Sequence, residues 1–243
     1  MNTCCRSVAA WLSLAISLVL AAPAAAQGVE GRKYAPGSFD TVVLNGTASV
    51  RLVQGADDSV FIEGDGETQE AVDLDVDGGV LRLRPSGSWK FWRGKQIQIV
   101  VTARDLRRLE IKGAADVVAA GSLRLKQLEV RISGAGSVRF DKLKADRLEF
   151  NVSGSGTGQL AGAVDELNVR ISGRGVYLGE NLVSQIASLA VSGAGEVRVW
   201  ATKELSAHVS GVATIDFWGS AKVTRSNSGL TTWNDRGDKR ASN

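Results

Sequence analysis

One glycine-centred segment of about 20 residues recurs along the second half of the chain. LEVRISGAGSVRF, residues 128–140, returns as LEFNVSGSGTGQL at 148–160 and as LNVRISGRGVYL at 167–178. The glycines that align the copies are Gly113, Gly134, Gly154, Gly173, Gly193 and Gly211, at intervals of 21, 20, 19, 20 and 18 residues. A period this short predicts a stack of similar units, each of which contacts only its neighbours.

The residues before each glycine alternate between apolar and polar. Two positions before the glycine the residue is β-branched in every copy: Ile111, Ile132, Val152, Ile171, Val191 and Val209. Four positions before it the residue is apolar: Leu109, Val130, Phe150, Val169, Leu189 and Ala207. The positions between them are polar in most copies, as at Glu129, Arg131 and Asn151. A period of two indicates β-strands with one buried face.

A single unit of this kind cannot bury its apolar face, whereas stacked units can. We therefore predict an all-β fold, a single-stranded parallel β-helix of roughly eight coils of about 20 residues each. Each glycine fits a sharp corner that needs either a positive φ or the absence of a Cβ atom. The serines that precede the glycines would form a row of hydroxyl groups along that corner: Ser133, Ser153, Ser172, Ser192 and Ser210.

Residues 56–108 depart from the repeat, and the sequence predicts a less regular N-terminal β cap there. VDLDVDGGVLRLR, residues 72–84, alternates on both sides of an Asp-Gly turn and indicates a hairpin. IQIVV, residues 97–101, indicates a further strand. The regular coils are expected at about 109–230. At their end Arg225 and Asn227 occupy inward positions, which is typical of a polar cap.

The first 26 residues have the layout of a secretory signal peptide, with Arg6, an apolar stretch and small residues up to Ala26. Cys4 and Cys5 precede the expected cleavage, so the mature chain would fold without disulfides. No later stretch is apolar enough for a membrane span. A formal charge of +3 argues against a nucleic-acid partner.

The rest of the chain is expected to form three parts. These are an N-terminal linker at 27–38, the β-solenoid domain at 39–230 and a polar tail at 231–243.

The acidic residues give no indication of a metal site. DLDVDG, residues 73–78, resembles the start of a calcium-binding loop, but Arg84 stands where that loop needs a bidentate glutamate. Cross-strand ion pairing explains the pattern better, because Asp73, Asp75 and Asp77 would share the outer face near Arg82 and Arg84 across the turn. We therefore expect neither a metal nor a cofactor.

Two glutamates deserve comparison with the carboxylate pairs of polysaccharide-cleaving enzymes. Glu129 and Glu149 occupy equivalent positions in adjacent coils, near Arg131 and Arg147, and would lie about 5 Å apart. The single histidine, His208, has no nucleophile at an informative spacing. We expect a protein without catalytic residues, and a carbohydrate-active enzyme that uses the two glutamates is the alternative.

SGSWKFWRGK, residues 86–95, combines aromatic and cationic side chains between two strands. Such a loop suits sugar stacking, binding of anionic glycans or contact with a membrane interface. The candidate ligand-binding residues are Trp89, Lys90, Phe91, Trp92 and Arg93. Alternatively the aromatic rings form a lid over the open end of the solenoid.

The chain resembles the auto-transporter adhesin head GIN domain family of bacterial secreted proteins. The resemblance runs from GSFDTVVLNGTASVRLVQG at 37–55 and VFIEGDGETQEAVDLDVDGGVLRLR at 60–84 through the SGxG corners to about residue 230. It implies a parallel β-helix and suggests adhesion, and it brings no catalytic residues.

These observations together predict a non-catalytic exported protein of a Gram-negative cell envelope, in the periplasm or on the cell surface. Its expected partner is a glycan, lipopolysaccharide or an envelope protein. A structural scaffold that assembles through the solenoid ends is a further alternative, and the sequence leaves the oligomeric state open.

Overall fold

The structure, a computed structural model, describes residues 30–86 and 97–239. The expected signal peptide lies outside the described residues and stays a prediction. One short helix, α1 (Gly66–Glu70), accompanies sixteen strands in this part of the chain. The strands that precede the long coils are β1 (Gly31–Tyr34), β2 (Thr41–Leu44), β3 (Thr47–Gln54), β4 (Ser59–Glu63), β5 (Val72–Asp77), β6 (Val80–Pro85), β7 (Ile97–Ala103) and β8 (Arg108–Ile111). The strands that follow are β9 (Ala114–Ile132), β10 (Ala135–Val152), β11 (Ser155–Ile171), β12 (Arg174–Val191), β13 (Ala194–Val209), β14 (Val212–Trp218), β15 (Lys222–Asn227) and β16 (Leu230–Asp235).

The long strands β9 to β13 form a stack of parallel coils. Each strand pairs in parallel with the strand before it and the strand after it. Residues at the same position of the repeat lie side by side, with Val152 between Ile132 and Ile171. The predicted parallel β-helix is confirmed, and it has about six turns. This is fewer than the roughly eight coils expected, because the first and last units of the repeat contribute only short strands.

The order of coils in space differs from their order in the chain. Strand β2 pairs in parallel with β6 on one side and β8 on the other. Strand β3 lies likewise between β7 and β9. The segment expected to be an irregular cap thus supplies one parallel unit, β6 and β7, beneath the first unit of the chain. The predicted hairpin of β5 and β6 and the predicted strand β7 are both present.

Antiparallel strands close the N-terminal end of the stack. Strand β4 pairs antiparallel with β7, and β1 pairs antiparallel with β4. Strand β1 falls within the segment expected to be a linker. Strand β16 extends past residue 230, where a tail was expected, because Trp233 continues the apolar column beside Ile215. Strand β1 therefore lies before residue 39, and strand β16 runs beyond residue 230.

The interior of the coils is a continuous apolar column. Its largest fully buried side chains include Phe140, Phe150 and Tyr177. The rings of Phe150 and Tyr177 lie 5.2 Å apart at an interplanar angle of 56°, a tilted geometry that aromatic pairs favour. Gly158 makes room for them, since a Cβ atom there would lie 2.4 Å from the Phe150 ring.

The corner glycines allow the coils to approach closely. A Cβ atom on Gly134 would lie 2.1 Å from the carbonyl oxygen of Gly113, and one on Gly154 would lie 2.1 Å from that of Gly134. Gly46 has a φ of +102°, but Gly134 and Gly154 do not have positive φ. The sequence allowed two reasons for these glycines, a positive φ or the absence of a Cβ atom. In the regular coils the second reason applies, because the backbones approach closely.

Candidate functional site

The aromatic segment that the sequence singled out lies outside the described residues. Both interpretations of this segment, a ligand-binding loop and a lid, therefore remain predictions. They concern Trp89, Lys90, Phe91, Trp92 and Arg93. The strand before this segment, β6, ends with Leu83 next to Leu44. The strand after it, β7, begins with Ile97 next to Ala48. Both therefore lie beside the first unit of the chain.

A groove runs across several coils on the outer face of the solenoid, along the corner glycines. Its volume is about 590 Å³. Its floor carries a serine from each of four consecutive coils, which we call the serine row: Ser133, Ser153, Ser172 and Ser192. All four serines are exposed. The predicted row of hydroxyl groups therefore lies in a groove that crosses several of the regular coils.

Backbone hydrogen bonds fix the serine row. The amide of Ser153 donates to the carbonyl of Ile132 at 2.9 Å, and the amide of Ser172 donates to Val152 at 2.9 Å. The hydroxyls are bonded far less firmly, since Ser133 and Ser172 donate to carbonyls of the preceding coil at 3.4 Å. These weakly engaged hydroxyls keep capacity for further hydrogen bonds.

Charged and amide side chains form the walls of this serine groove. They include Glu110, Glu129, Arg131, Glu149, Asn151, Arg170 and His208. Arg131, Asn151 and Arg170 each stand three positions before a corner glycine. The alternation of the strands predicted only that these side chains face outward and gave no indication of a common groove. Their shared offset in the repeat was the signal that could have placed them together.

The predicted adjacency of Glu129 and Glu149 is present in the structure, where the two residues pair across β9 and β10. Glu129 accepts hydrogen bonds from Arg108 at 2.9 Å and from Arg131. The hydrogen bond that Arg131 donates to Glu129 raises the pKa of the Arg131 guanidinium. Glu149 has a weaker ion pair with Arg170, at 4.0 Å.

Arg147 was expected near Glu129 and Glu149, but its ion pair is with a different glutamate. Its Nη2 atom lies 2.6 Å from Oε2 of Glu166, in the following coil. Arg147 and Glu166 pair across β10 and β11. Arg147 therefore neutralises a charge in the following coil, whereas Glu129 lies in the preceding coil.

The acidic residues of the β5–β6 hairpin form cross-strand ion pairs, as the sequence predicted. Arg84 donates to Asp73 at 2.7 Å, and Arg82 lies 3.5 Å from Asp75. These are cross-strand ion pairs of the β5–β6 hairpin. Within residues 30–86 and 97–239, no cluster of three His, Asp or Glu side chains could hold a metal ion. No helix among these residues is long and apolar enough to cross a membrane.

The serine groove offers hydroxyl, amide and guanidinium groups in a shallow, open concavity. Its paired residues Glu129 and Glu149 are both engaged by arginines. The arrangement suits recognition of a polyhydroxylated chain by hydrogen bonds.

The fold and this groove define the chain as a parallel β-solenoid protein with a polar outer groove. Residues 38–221 match the family described as "Putative auto-transporter adhesin, head GIN domain", and the chain belongs to this family. The resemblance noted in the sequence is thereby confirmed. No curated protein matches the chain significantly.

Several solved structures share the fold. A putative adhesin from Bacteroides fragilis is 22% identical, with a TM-score of 0.78 over 84% of this chain and 95% of its own. A putative adhesin from Parabacteroides distasonis is 18% identical, with a TM-score of 0.65 over 85% of this chain and 96% of its own. A putative lipid binding protein from the same species is 20% identical, with a TM-score of 0.62 over 86% and 96%. At these identities the likeness concerns the fold.

Proposed function

We propose that this protein is a non-catalytic, adhesin-like component of a Gram-negative cell envelope that binds a glycan in the serine groove. The observation that carries the proposal is the serine row, a set of exposed hydroxyls repeated once per coil on the floor of the groove. Adjacent coils are about 4.8 Å apart, so the row presents similar hydrogen-bonding groups at a regular spacing. An extended polysaccharide also repeats its hydroxyl groups regularly along its length.

Two further considerations support the proposal. The family is described as an adhesin family, and adhesion needs a binding surface and no reacting groups. The N-terminal segment with Arg6 and its apolar stretch supports export of the chain to the periplasm or the cell surface.

The test is binding of the mature chain to peptidoglycan, lipopolysaccharide and a panel of soluble glycans. Ser153→Trp would fill the middle of the serine groove with an indole ring. Gln159→Trp is the matched control, because Gln159 is exposed on the same coil beyond the corner. We expect glycan binding to fall at least tenfold in Ser153→Trp and to persist in Gln159→Trp, with unchanged circular dichroism in both.

A second variant separates the groove from the aromatic segment. Replacement of Trp89, Phe91 and Trp92 by alanine should leave binding in place if the groove is the site. Loss of binding in this variant, together with full binding by Ser153→Trp, would assign the site to the segment and refute the groove.

The alternatives have their own measurements. A carbohydrate-active enzyme would release reducing ends from a polysaccharide, and Glu149→Gln would abolish that release. A scaffold that assembles through its ends would form oligomers that grow with concentration in light scattering, without any ligand.

A further inference from the structure

A second depression on the outer surface of the solenoid is rich in cations. It has a volume of about 700 Å³ and lies beside the coils nearest the N-terminal end. Its lining includes Gln54, Arg107, Arg124, Lys126, Gln127 and Lys144, with Asp105 and Asp146 as its acids. We call this depression the basic groove.

Strand pairing fixes three of these cations close together. Arg124 and Lys126 alternate with the buried Leu123 and Leu125 on β9, so both point outward. Lys144 pairs with Arg124 in the neighbouring strand β10. Adjacent strands are about 4.8 Å apart, so the positions of Arg124 and Lys144 are direct neighbours.

Gln54 holds the backbone of this site in place. Its Nε2 donates to the carbonyls of Arg104 at 3.1 Å and Arg124 at 2.9 Å. Its Oε1 accepts from the amide of Arg124 at 2.8 Å. One side chain therefore ties β9 to the segment after β7, and the backbone that carries Arg124 is fixed before any ligand arrives.

These cations differ from most arginines of the protein in having no ion-pair partner. In the described part of the chain, Arg124, Lys126 and Lys144 make no ion pair within 4.0 Å, whereas Arg131 and Arg147 each engage a glutamate. Like charges on directly opposite positions of neighbouring strands destabilise a sheet. A bound anion would relieve this repulsion and gain hydrogen bonds from all three side chains.

The basic groove and the serine groove belong to one continuous surface. A smaller depression of about 290 Å³ lies between them. It shares Arg107 and Gln127 with the basic groove and shares Glu129 and Glu149 with the serine groove. A chain-like ligand in the serine groove can therefore extend into the basic groove without leaving the surface.

We propose that the basic groove is an anion subsite and that the ligand of the serine groove is an acidic polysaccharide that extends into it. Its phosphate, sulfate or carboxylate groups bind Arg124, Lys126 and Lys144, while its uncharged sugar hydroxyls meet the serine row. This inference rests on the proposed function and adds the charge of the ligand to it. The overall charge of +3 is small, so this preference arises from a local cluster and not from a generally basic protein.

The test compares dextran sulfate with uncharged dextran of the same length, at low and high salt. We expect the wild-type chain to bind dextran sulfate at least tenfold more tightly than dextran, with a difference that shrinks as salt screens the charges. The triple variant Arg124→Gln, Lys126→Gln and Lys144→Gln should lose at least tenfold in affinity for dextran sulfate.

The matched control is Arg174→Gln, Lys203→Gln and Lys222→Gln. It removes the same net charge from exposed positions elsewhere, and it should retain binding. Equal losses in both triple variants, or no preference for dextran sulfate, would overturn the anion subsite. Binding of vesicles containing phosphatidylglycerol, sensitive to the basic triple variant and without any binding of dextran sulfate, would assign the groove to a membrane and overturn it too.

The two proposals fail in different ways. If Ser153→Trp leaves all binding intact while the basic triple variant abolishes it, the serine groove is refuted and the anion site stands. If Ser153→Trp abolishes binding and the basic triple variant does not, the proposed function stands and the acidic ligand is refuted.

Discussion

Glu149 lies directly beside Glu129 in the neighbouring coil, yet different arginines engage the two carboxylates. Arg108 and Arg131 both contact Glu129, and Arg170 approaches Glu149 at 4.0 Å. The two glutamates therefore belong to a network of ion pairs on the surface, and Glu129 is the more strongly engaged of the two.

Glu129→Gln should lower the free energy of unfolding by about 1 kcal/mol or less, because the ion pairs it breaks are partly exposed. In the wild type the Glu129 side chain is 16% exposed and engages two guanidinium groups. The Glu149 side chain is 36% exposed and has one weak ion pair. Urea unfolding should therefore show a smaller effect for Glu149→Gln. A larger loss in Glu149→Gln would contradict this account of the network.

Gly154→Ala should destabilise the solenoid by about 1–3 kcal/mol, the usual cost of overpacking a tight site. Its Cβ atom would lie 2.1 Å from the carbonyl oxygen of Gly134 and 2.4 Å from that of Ser133, and neither backbone atom can rotate away. Thermal unfolding followed by circular dichroism would measure the effect.

Gly121→Ala is the control for this prediction. Gly121 is an exposed strand residue, and a Cβ atom there meets no atom within 4 Å. It should be neutral or slightly stabilising, since alanine reduces the freedom of the unfolded chain. Similar losses in both variants would mean that close packing at the corner is not the reason for glycine.

Arg225→Ala should destabilise the C-terminal end by about 1 kcal/mol through the loss of cation–π contacts. The Arg225 guanidinium lies 4.7 Å from the ring centroid of Trp233 and 5.4 Å from that of Phe217. It covers the last aromatic layer of the core, as the polar cap predicted from the sequence would. Hydrogen exchange of β16 should become faster in Arg225→Ala and stay unchanged in Lys222→Ala, and equal rates in the two variants would refute this capping role.

The regular coils could be predicted from sequence because their packing is local to the repeat. Ile132 and Val152 share a position in the repeat, and they occupy neighbouring places in the structure. Gly46 and Gly113 occupy neighbouring corners as well, but 67 positions separate them in the chain. The unit formed by β6 and β7 is placed by pairing with β2 and β3 and not by any period, so spacing alone could not reveal it.

The candidate site was predictable only in part. The alignment of the glycines already placed Ser153 and Ser172 in one row. The concavity around them depends on how the backbone bends at the corner, which residue spacing does not specify. The ion-pair partner of Arg147 depends on which neighbouring coil its long side chain reaches. The structure shows that this partner is Glu166, which the comparison of Glu129 with Glu149 could not indicate.

Tyr177→Phe should raise the stability of the protein by about 1 kcal/mol, because it removes a buried hydroxyl without a partner. The Tyr177 side chain is fully buried, and its hydroxyl has no hydrogen bond among the described residues. Burial, and secondly the negative charge of Glu180, raise the pKa of this hydroxyl far above its ordinary value. Urea unfolding at neutral pH would measure the gain, with Tyr34→Phe as the control for loss of a hydroxyl that is only partly buried.

The same residue predicts how stability changes in alkali. Below about pH 10 the tyrosine is protonated in both the folded and the unfolded chain. Above that pH the unfolded chain releases the proton while folded Tyr177 retains it, so the wild type loses stability by at most ~1.4 kcal/mol per pH unit from this group. Tyr177→Phe cannot lose stability in this way, and its advantage should therefore widen between pH 9 and pH 11. An advantage that stays constant over this range would show that the hydroxyl ionises normally and is not enclosed in the core.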